Sequence, residues 1–468
     1  MRIVAFILSL AMGCQFLSSQ NWQPLHGNLE WYTTCLYADS VSDQLFVGGR
    51  FKEVNNQTQW GIGTYNGTQW GQLGSGIDDS SLTNRPAKTT AITRYGSDVI
   101  IGGWFSKAGG LNTPALASWD GASWDTVPGA LMKSQDVVND LIVFNNELYM
   151  CGAFDSVGNV PANCIAKWNG STWTAIGNNY PFIPQGVSLN KMCFYRGNLY
   201  VIGWFLDLQG NFCRLAKWDG TVWTFYTNSF TNVFAFNDLI VFQDKLYIAG
   251  LFSMSDMKCG IMSWNDTTWS GVGGGLQTVV NPNPEVIELA VYHNKLFCVG
   301  NFEKVGGAPA DGLASWDGTY WCGYGTSFQI NSQNVGATNI AFYRDTMYIG
   351  GGFEMVEGDT IEYIAQWAGG NFADTCNVIS TDVNGASNFN SALNLFPNPA
   401  RDEITFEFTD SENRQLIIYD CAGREIWREE NSGAIIKVDV QSFSDGLYFF
   451  SAFGDNEEYV QGKFLIAH

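Results

Sequence analysis

The chain has 468 residues, enough for two to four ordinary domains or one repeat array with attachments. Charged residues make up only 15 % of it, while 18 Trp, 19 Tyr and 32 Phe supply many large apolar groups, which excludes a disordered, solvated chain. The net charge of -21 repels phosphate backbones and anionic lipid, so nucleic acid is not an expected partner.

In chain order, residues 1–19 read as a secretory signal peptide: Arg2, an apolar run from Ile3 through Leu10 to Leu17, then Ser18 and Ser19. A lipoprotein reading through Cys14 is weaker, because Ala11 and Met12 fit that pattern poorly. No other stretch reaches about 18 uninterrupted apolar residues, so no transmembrane segment is expected in the mature protein.

From residue 20 to 378 the sequence repeats itself at a period near 50 residues. Each copy ends on an aromatic pair five apart: Tyr65 and Trp70, Trp119 and Trp124, Trp168 and Trp173, Trp218 and Trp223, Trp264 and Trp269, Trp316 and Trp321, Trp367 and Phe372. Ahead of each pair lies a Gly-x-Phe closing an apolar run, at Phe51, Phe105, Phe154, Phe205, Phe252, Phe302 and Phe353. Within the third copy four strands are expected, Leu141 to Phe144, Leu148 to Phe154, Cys164 to Trp168 and Thr172 to Ile176. Asn145-Asn146 joins the first two, and Asn169-Gly170 joins the last two as a tight hairpin turn. Asn66-Gly67, Asp120-Gly121, Asp219-Gly220 and Asp317-Gly318 hold the same place in other copies.

Four antiparallel strands, repeated radially, describe a β-propeller blade, and seven copies predict seven blades. No blade covers both faces of its own sheet, so each stacks on its neighbours through the aromatic pair and the Phe. Trp22-Gln-Pro-Leu25-His-Gly27 looks like a fourth strand that precedes the first blade. It is expected to complete the last blade and tie the ring shut, with Phe372 to Val378 adding to it or leaving as coil. The repeat, with Ile165-Ala-Lys-Trp and Leu215-Ala-Lys-Trp before Asn169-Gly or Asp219-Gly, resembles the kelch-like and galactose-oxidase-type propellers of secreted bacterial proteins. That resemblance implies the fold and leaves the activity open, since propellers host binding, scaffolding and many chemistries.

Residues 379–392, rich in Ser, Asn, Asp and Gly, suit a flexible linker. From 393 to 468, strands are expected at Glu403 to Phe408, Gln415 to Tyr419, Ile435 to Val440, Gly446 to Ala452 and Gln461 to Ile466. Four motifs recur here in order: Leu393-Asn-Leu-Phe with Pro397-Asn398-Pro399, Leu416 to Gly423-Arg424, Asp445-Gly446-Leu-Tyr448, and Lys463-Phe-Leu-Ile. Together they resemble the C-terminal sorting domain of the type IX secretion system of Bacteroidetes. The resemblance implies a small β-sandwich recognised by an outer-membrane translocon, and a cell-surface or secreted destination. The ending Ala467-His468 departs from the family, where a basic residue is common.

Chemistry is faint. Only His26, His293 and His468 occur, too few for a His-rich metal site or a triad assembled from several blades; His293 reads as a turn residue. Asp120, Asp219 and Asp317 precede Gly and read as turn formers, not calcium ligands, so no metal or cofactor is expected. Acidic pairs for glycoside cleavage are available at the central mouth from Asp78-Asp79, Glu285 and Glu288, or Glu354 and Glu357, with nothing to select among them. Trp104 and Trp204, the middle residues of two Gly-x-Phe motifs, offer flat faces to sugars, though packing between blades is the favoured reading. Of 11 cysteines, Cys151 with Cys164 and Cys35 with Cys376 are hypothetical disulfides; small buried thiols are the alternative. Asp39-Ser40-Val41, Asp125-Thr126-Val127, Asp155-Ser156-Val157 and Asp359-Thr360-Ile361 look like short Bacteroidetes O-glycosylation motifs.

The expectation is therefore an all-β, exported, non-catalytic seven-bladed β-propeller binding a glycan or a protein, followed by a small β-sandwich sorting domain whose partner is the type IX translocon. A carbohydrate-active hydrolase or lyase with acids at the propeller mouth is the runner-up, and a structural or adhesion component is the third reading.

Overall fold

A computed structural model describes residues 22–25, 29–54, 57–78, 87–177, 187–207, 209–226, 233–254, 257–258, 260–277, 284–306, 308–324, 326–330, 333–368, 393–408, 414–420, 424–431, 433–444, 446–454 and 459–466. The leader at 1–19, His26, Gly27, Asp79, Cys259, Phe372, Cys376, the segment 379–392, Cys421, Gly423 and His468 lie outside them. The chain divides into two compact units, Met1–Asn377 and Val378–His468.

Among the described residues of the first unit, seven antiparallel sheets are built on one plan. The third runs Val137–Phe144, Glu147–Ala153, Ile165–Trp168, Trp173–Ala175. The first strands of the others are Thr33–Asp39, Lys88–Tyr95, Ser188–Tyr195, Val233–Phe242, Glu285–Tyr292 and Ala337–Tyr343. These first strands lie side by side in chain order, and Ala337–Tyr343 of the seventh sheet lies beside Thr33–Asp39 of the first. The fourth strand of the seventh sheet comes from the other end of the unit: Trp22–Pro24 pairs with Ile364–Trp367 in the register Trp22 to Trp367.

The Gly-x-Phe signature has a steric cause. Each first strand carries a bulge at an equivalent place, at Thr34, Thr90, Asn139, Asn190, Asn237, Ile287 and Thr338, and Val233–Phe242 carries a second one at Phe234. A bulge pushes the local carbonyl toward the neighbouring strand. A Cβ on Gly152 would lie 2.0 Å from the Val137 carbonyl oxygen, and one on Gly300 would lie 2.2 Å from that of Glu285. Only glycine fits at such an approach. The Phe two residues on is buried in all seven copies.

The aromatic pairs sit directly opposite each other across the third and fourth strands, Trp119 to Trp124, Trp168 to Trp173, Trp218 to Trp223, Trp264 to Trp269 and Trp316 to Trp321. The second Trp of a pair also reaches back to the preceding copy: Trp124 Nε1 donates to the Leu73 carbonyl at 2.7 Å, Trp173 to Pro128 at 2.9 Å, and Trp321 to Val272 at 3.0 Å. Trp22 does the same in the seventh sheet, donating to Thr326 Oγ1 at 3.2 Å. The second, third, sixth and seventh sheets are thus each tied to their predecessor by a ring that buries apolar area and satisfies its one donor.

The Asn-Gly and Asp-Gly turns differ from expectation. They are four-residue connections in which only the glycine takes a left-handed φ, as at Gly170 (94°) and Gly318 (106°), while the preceding side chain caps the loop. Asn169 Oδ1 accepts the Ser171 and Thr172 amides, and Asp317 Oδ1 those of Thr319 and Tyr320. Two-residue turns with both φ values positive occur instead between first and second strands, at Asn145-Asn146 and His293-Asn294. Short accessory hairpins also join consecutive copies, Ile77–Asp78 pairing with Lys107–Ala108 and Phe328–Ile330 with Met355–Val356.

In the second unit a three-stranded sheet, ordered Leu393–Phe396, Glu403–Phe408, Ile435–Asp439, faces a four-stranded one ordered Glu425–Asn431, Arg414–Tyr419, Gly446–Gly454, Tyr459–Ile466. Phe406 of the first meets Phe450 and Phe464 of the second edge-on, with ring centroids 4.9 and 5.9 Å apart. Each sheet hides its apolar side against the other.

Candidate functional site

The residue after each bulge occupies one equivalent position in the seven first strands: Cys35, Ala91, Asp140, Lys191, Asp238, Glu288 and Asn339. Four of these are ionisable side chains other than thiol, and they converge. Lys191 lies within electrostatic reach of Asp140, Asp238, Glu288 and Cys35, from the third, fifth, sixth and first sheets. Its Nζ is 3.6 Å from Asp140 Oδ1. Burial opposes the charge on Lys191, but the three carboxylates outweigh it and hold the ammonium above its usual range. The carboxyls respond the other way. Burial raises Asp140, pushes Asp238 up to about 6 and pushes Glu288 up to about 8, with Lys191 opposing each shift.

These carboxylates are already engaged. Asp140 Oδ2 accepts the Met192 amide at 2.9 Å, Asp238 Oδ2 the Leu289 amide at 2.7 Å, and Glu288 Oε2 the Ile340 amide at 3.0 Å. Each bond therefore crosses to the next sheet, one residue past the equivalent position. The bulged side chains make a parallel set: Thr34 donates to the Thr89 carbonyl, Asn139 to that of Leu189 at 2.9 Å, and Asn237 to that of Val286 at 2.9 Å. A carboxylate whose lone pairs serve fixed amides is a staple between strands rather than a free acid or base. Of the acidic pairs raised by the sequence, Glu285 accepts from Asn237 Nδ2 at 2.8 Å, and Glu288 belongs to this cluster. The sequence singled out Glu288 without its partners, because Asp140, Lys191 and Asp238 share no local motif; only their common offset from the bulge unites them.

The other candidates fall elsewhere. Asp120, Asp219 and Asp317 cap turns through backbone amides. His293 lies in its turn at φ 45°, stacked on Tyr292. Both hypothetical disulfides are overturned: Cys35, Cys151 and Cys164 are free thiols, and among the described residues Cys322 is disulfide-bonded. Cys151 faces Ile165 across the ladder rather than Cys164. Trp204 does not pack between sheets: 47 % of it is exposed, with Phe212 5.4 Å away and the Arg214 guanidinium 3.7 Å above its ring. Trp104 is half-buried, under Arg50. A cleft of about 560 Å³ opens between the third and fourth sheets, lined by Phe144, Tyr149, Lys167, Phe194 and Trp218. Phe144 and Phe194 stack at 3.8 Å in it, and Lys167 pairs with Glu147 at 2.9 Å.

In the second unit, the motif residues converge on the last strand. Asn398 Oδ1 accepts the Leu465 amide at 2.9 Å, and the Ala400 amide just past Pro397 and Pro399 donates to the Leu465 carbonyl at 2.8 Å. Tyr448 is buried, stacks on Phe464 and donates to the Ser444 carbonyl at 2.8 Å. Gly446 pairs with Ile466, and Lys463 with Phe449. Arg424 closes its hairpin on Asp420 through Nε at 2.7 Å.

Residues 394–467 match the family described as the secretion system C-terminal sorting domain. The chain is accordingly an export cargo of the type IX machinery, bound for the cell surface or the medium. No curated protein sequence matches the chain. Among solved structures, it is similar to PorZ, a bacterial surface component of the type IX secretion system of Porphyromonas gingivalis, at 14 % identity and TM-score 0.43, over 91 % of this chain and 58 % of that one. It is also similar to the extracellular domain of BT4673 from B. thetaiotaomicron, at 12 % and 0.44, over 96 % and 59 %. A third is the Myceliophteria thermophila Swd1 β-propeller domain, at 10 % and 0.39, over 74 % and 99 %. The chain thus spans less than two thirds of the first two. Among the described residues no helix is long and apolar enough to cross a membrane.

Proposed function

We propose that the first unit is a seven-bladed, kelch-like β-propeller closed by Trp22–Pro24, and that it serves outside the cell as a non-catalytic module binding a glycan or protein ligand. The leader at residues 1–19 carries the chain to the periplasm, and the domain from 393 to 468 hands it to the type IX translocon. The observation that carries the reading is the sorting-domain match over residues 394–467, since a dedicated export signal gives the preceding unit an extracellular task. Binding is preferred over hydrolysis because Asp140, Asp238 and Glu288 are committed to backbone amides of neighbouring sheets.

The test is expression in a Bacteroidetes host with a working type IX system, comparing the full chain with one ending at residue 392. The full chain is expected at the surface or in the medium, and the shortened one in the periplasm. Equal export of both overturns the reading. Release of reducing ends from polysaccharides by the purified chain would replace binding with hydrolysis.

A further inference from the structure

Cations are scarce here, 24 Lys and Arg against 45 Asp and Glu, yet Arg50 and Arg214 lie over tryptophan rings and Lys88 pairs in register with one of them, and among the described residues none of the three has an acidic partner. Lys88 opens the first strand of the second sheet and pairs in register with Trp104, at the end of the second strand. Directly paired residues project to the same side of a sheet. Arg50, at the corresponding end of the first sheet, holds its guanidinium carbon 5.9 Å from the centre of the Trp104 ring. Its Nε is buried, with no hydrogen-bond partner among the described residues. Burial, and then the neighbouring Arg50, pull the Lys88 ammonium below its usual range.

The fourth sheet repeats the arrangement at the same register position. Trp204 lies near the end of its second strand, Asn198–Leu206, opposite Ser188 at the start of the first. Arg214 lies over it at 3.7 Å, and Phe212, 67 % exposed, stands at its edge. Among the described residues, no ion pair involves Arg50, Lys88 or Arg214. Two like charges half-buried together, in a chain with a surplus of acids that could neutralise them, are costly unless an anion arrives. A guanidinium stacked on an indole leaves its N–H edge for an acidic group on the rim of a pyranose, while the exposed parts of Trp204 and Phe212 meet the sugar's apolar C–H groups.

We propose that this edge of the sheets binds an acidic polysaccharide, with one subsite at Arg50, Lys88 and Trp104 and a second at Arg214, Trp204 and Phe212. The proposal deepens the binding reading above by naming its ligand class. It is tested on the purified mature chain, so its failure leaves the export result untouched.

The experiment is affinity electrophoresis and calorimetry with polygalacturonate, chondroitin sulfate and neutral dextran. At least one acidic polymer is expected to bind about tenfold or more tightly than dextran, and to weaken as salt shortens the screening length. Preference for polygalacturonate identifies the acid as a carboxylate, and preference for chondroitin sulfate identifies a sulfate contribution. Lys88→Gln, Arg50→Gln and Trp204→Ala are each expected to weaken binding about fivefold or more. Trp204 is exposed, so Trp204→Ala reports on binding even if a variant at the half-buried pair unfolds. No binding to either acidic polymer, or equal binding by wild type and a folded Trp204→Ala, overturns the proposal.

Discussion

Trp22 and Trp367 meet edge-to-face with ring centroids 5.1 Å apart and planes at 83°, in the same cross-strand register as Trp119 and Trp124. The first described residue of the unit therefore stands where the repeat calls for a second Trp, and its indole donates to the sixth copy as Trp124 does to the first.

Removal of that ring separates the two ends of the unit. Trp22→Ala deletes a side chain only 1 % exposed and is expected to cost about 3–5 kcal/mol. Urea denaturation followed by tryptophan fluorescence measures it. Trp204→Ala, at an exposed ring, is expected to change the midpoint little.

The buried charge cluster makes stability depend on pH. Glu288 at about 8 and Asp238 at about 6 exceed their ordinary values of 4.5 and 3.8, so between those limits the folded chain holds more protons than the unfolded one. Their contribution is greatest below the unfolded values and declines as pH rises through about 8. Glu288→Gln keeps an oxygen for the Ile340 amide and is expected to flatten that decline. Urea midpoints taken across the pH range decide it; an unchanged profile refutes the assignment.

Lys191→Met leaves three carboxyls without their cation. Because Lys191 is 31 % exposed, the loss at neutral pH is expected near 2 kcal/mol rather than the 3–5 of a fully buried pair. Acid should restore most of it by protonating Glu288 and Asp238. Comparison of wild type and variant by thermal melting at about pH 5 and pH 8 measures the difference.

The free thiols are expected to resist alkylation in the folded chain. Burial pushes Cys35 and Cys193 up to about 12 and Cys164 up to about 11, so little thiolate exists at mildly alkaline pH. Mass spectrometry after iodoacetamide treatment should find Cys35, Cys151, Cys164, Cys193, Cys213 and Cys298 unlabelled when native and labelled in urea.

The second unit is expected to melt on its own terms. Phe406 is fully buried between its two sheets, and Phe406→Ala should cost that unit about 3–5 kcal/mol. Calorimetry should show one transition moved and the other unchanged, with loss of export in cells.

Much of this architecture was legible because packing repeats. An aromatic pair following a Gly-x-Phe returns in every copy, since each sheet must cover its neighbour with the same apolar groups. The bulges were hidden: Thr34, Asn139 and Ile287 share no chemistry, and only the carbonyl approach to the glycine reveals them. Asp140, Lys191 and Asp238 escaped notice for the same reason, as their meeting depends on tertiary register. In the second unit, Leu393–Phe396 and Glu425–Asn431 were not foreseen as strands. Both are edge strands, and the latter is rich in charge, which protects an open edge but erases the alternating pattern. The Trp204 stack failed expectation because burial statistics favour packing for a strand Trp, whereas Arg214 screens this one from beside the sheet.

The pairing of Trp22–Pro24 with Ile364–Trp367 also sets a timetable. Six sheets can condense as the nascent polypeptide lengthens, but the seventh must wait until nearly the whole unit has been made, because its outermost ribbon was synthesised first. Long-range pairing of this kind is slow. Until it forms, a Trp and its neighbours remain exposed to proteases and chaperones, so the interval between synthesis and pairing is the period of greatest vulnerability.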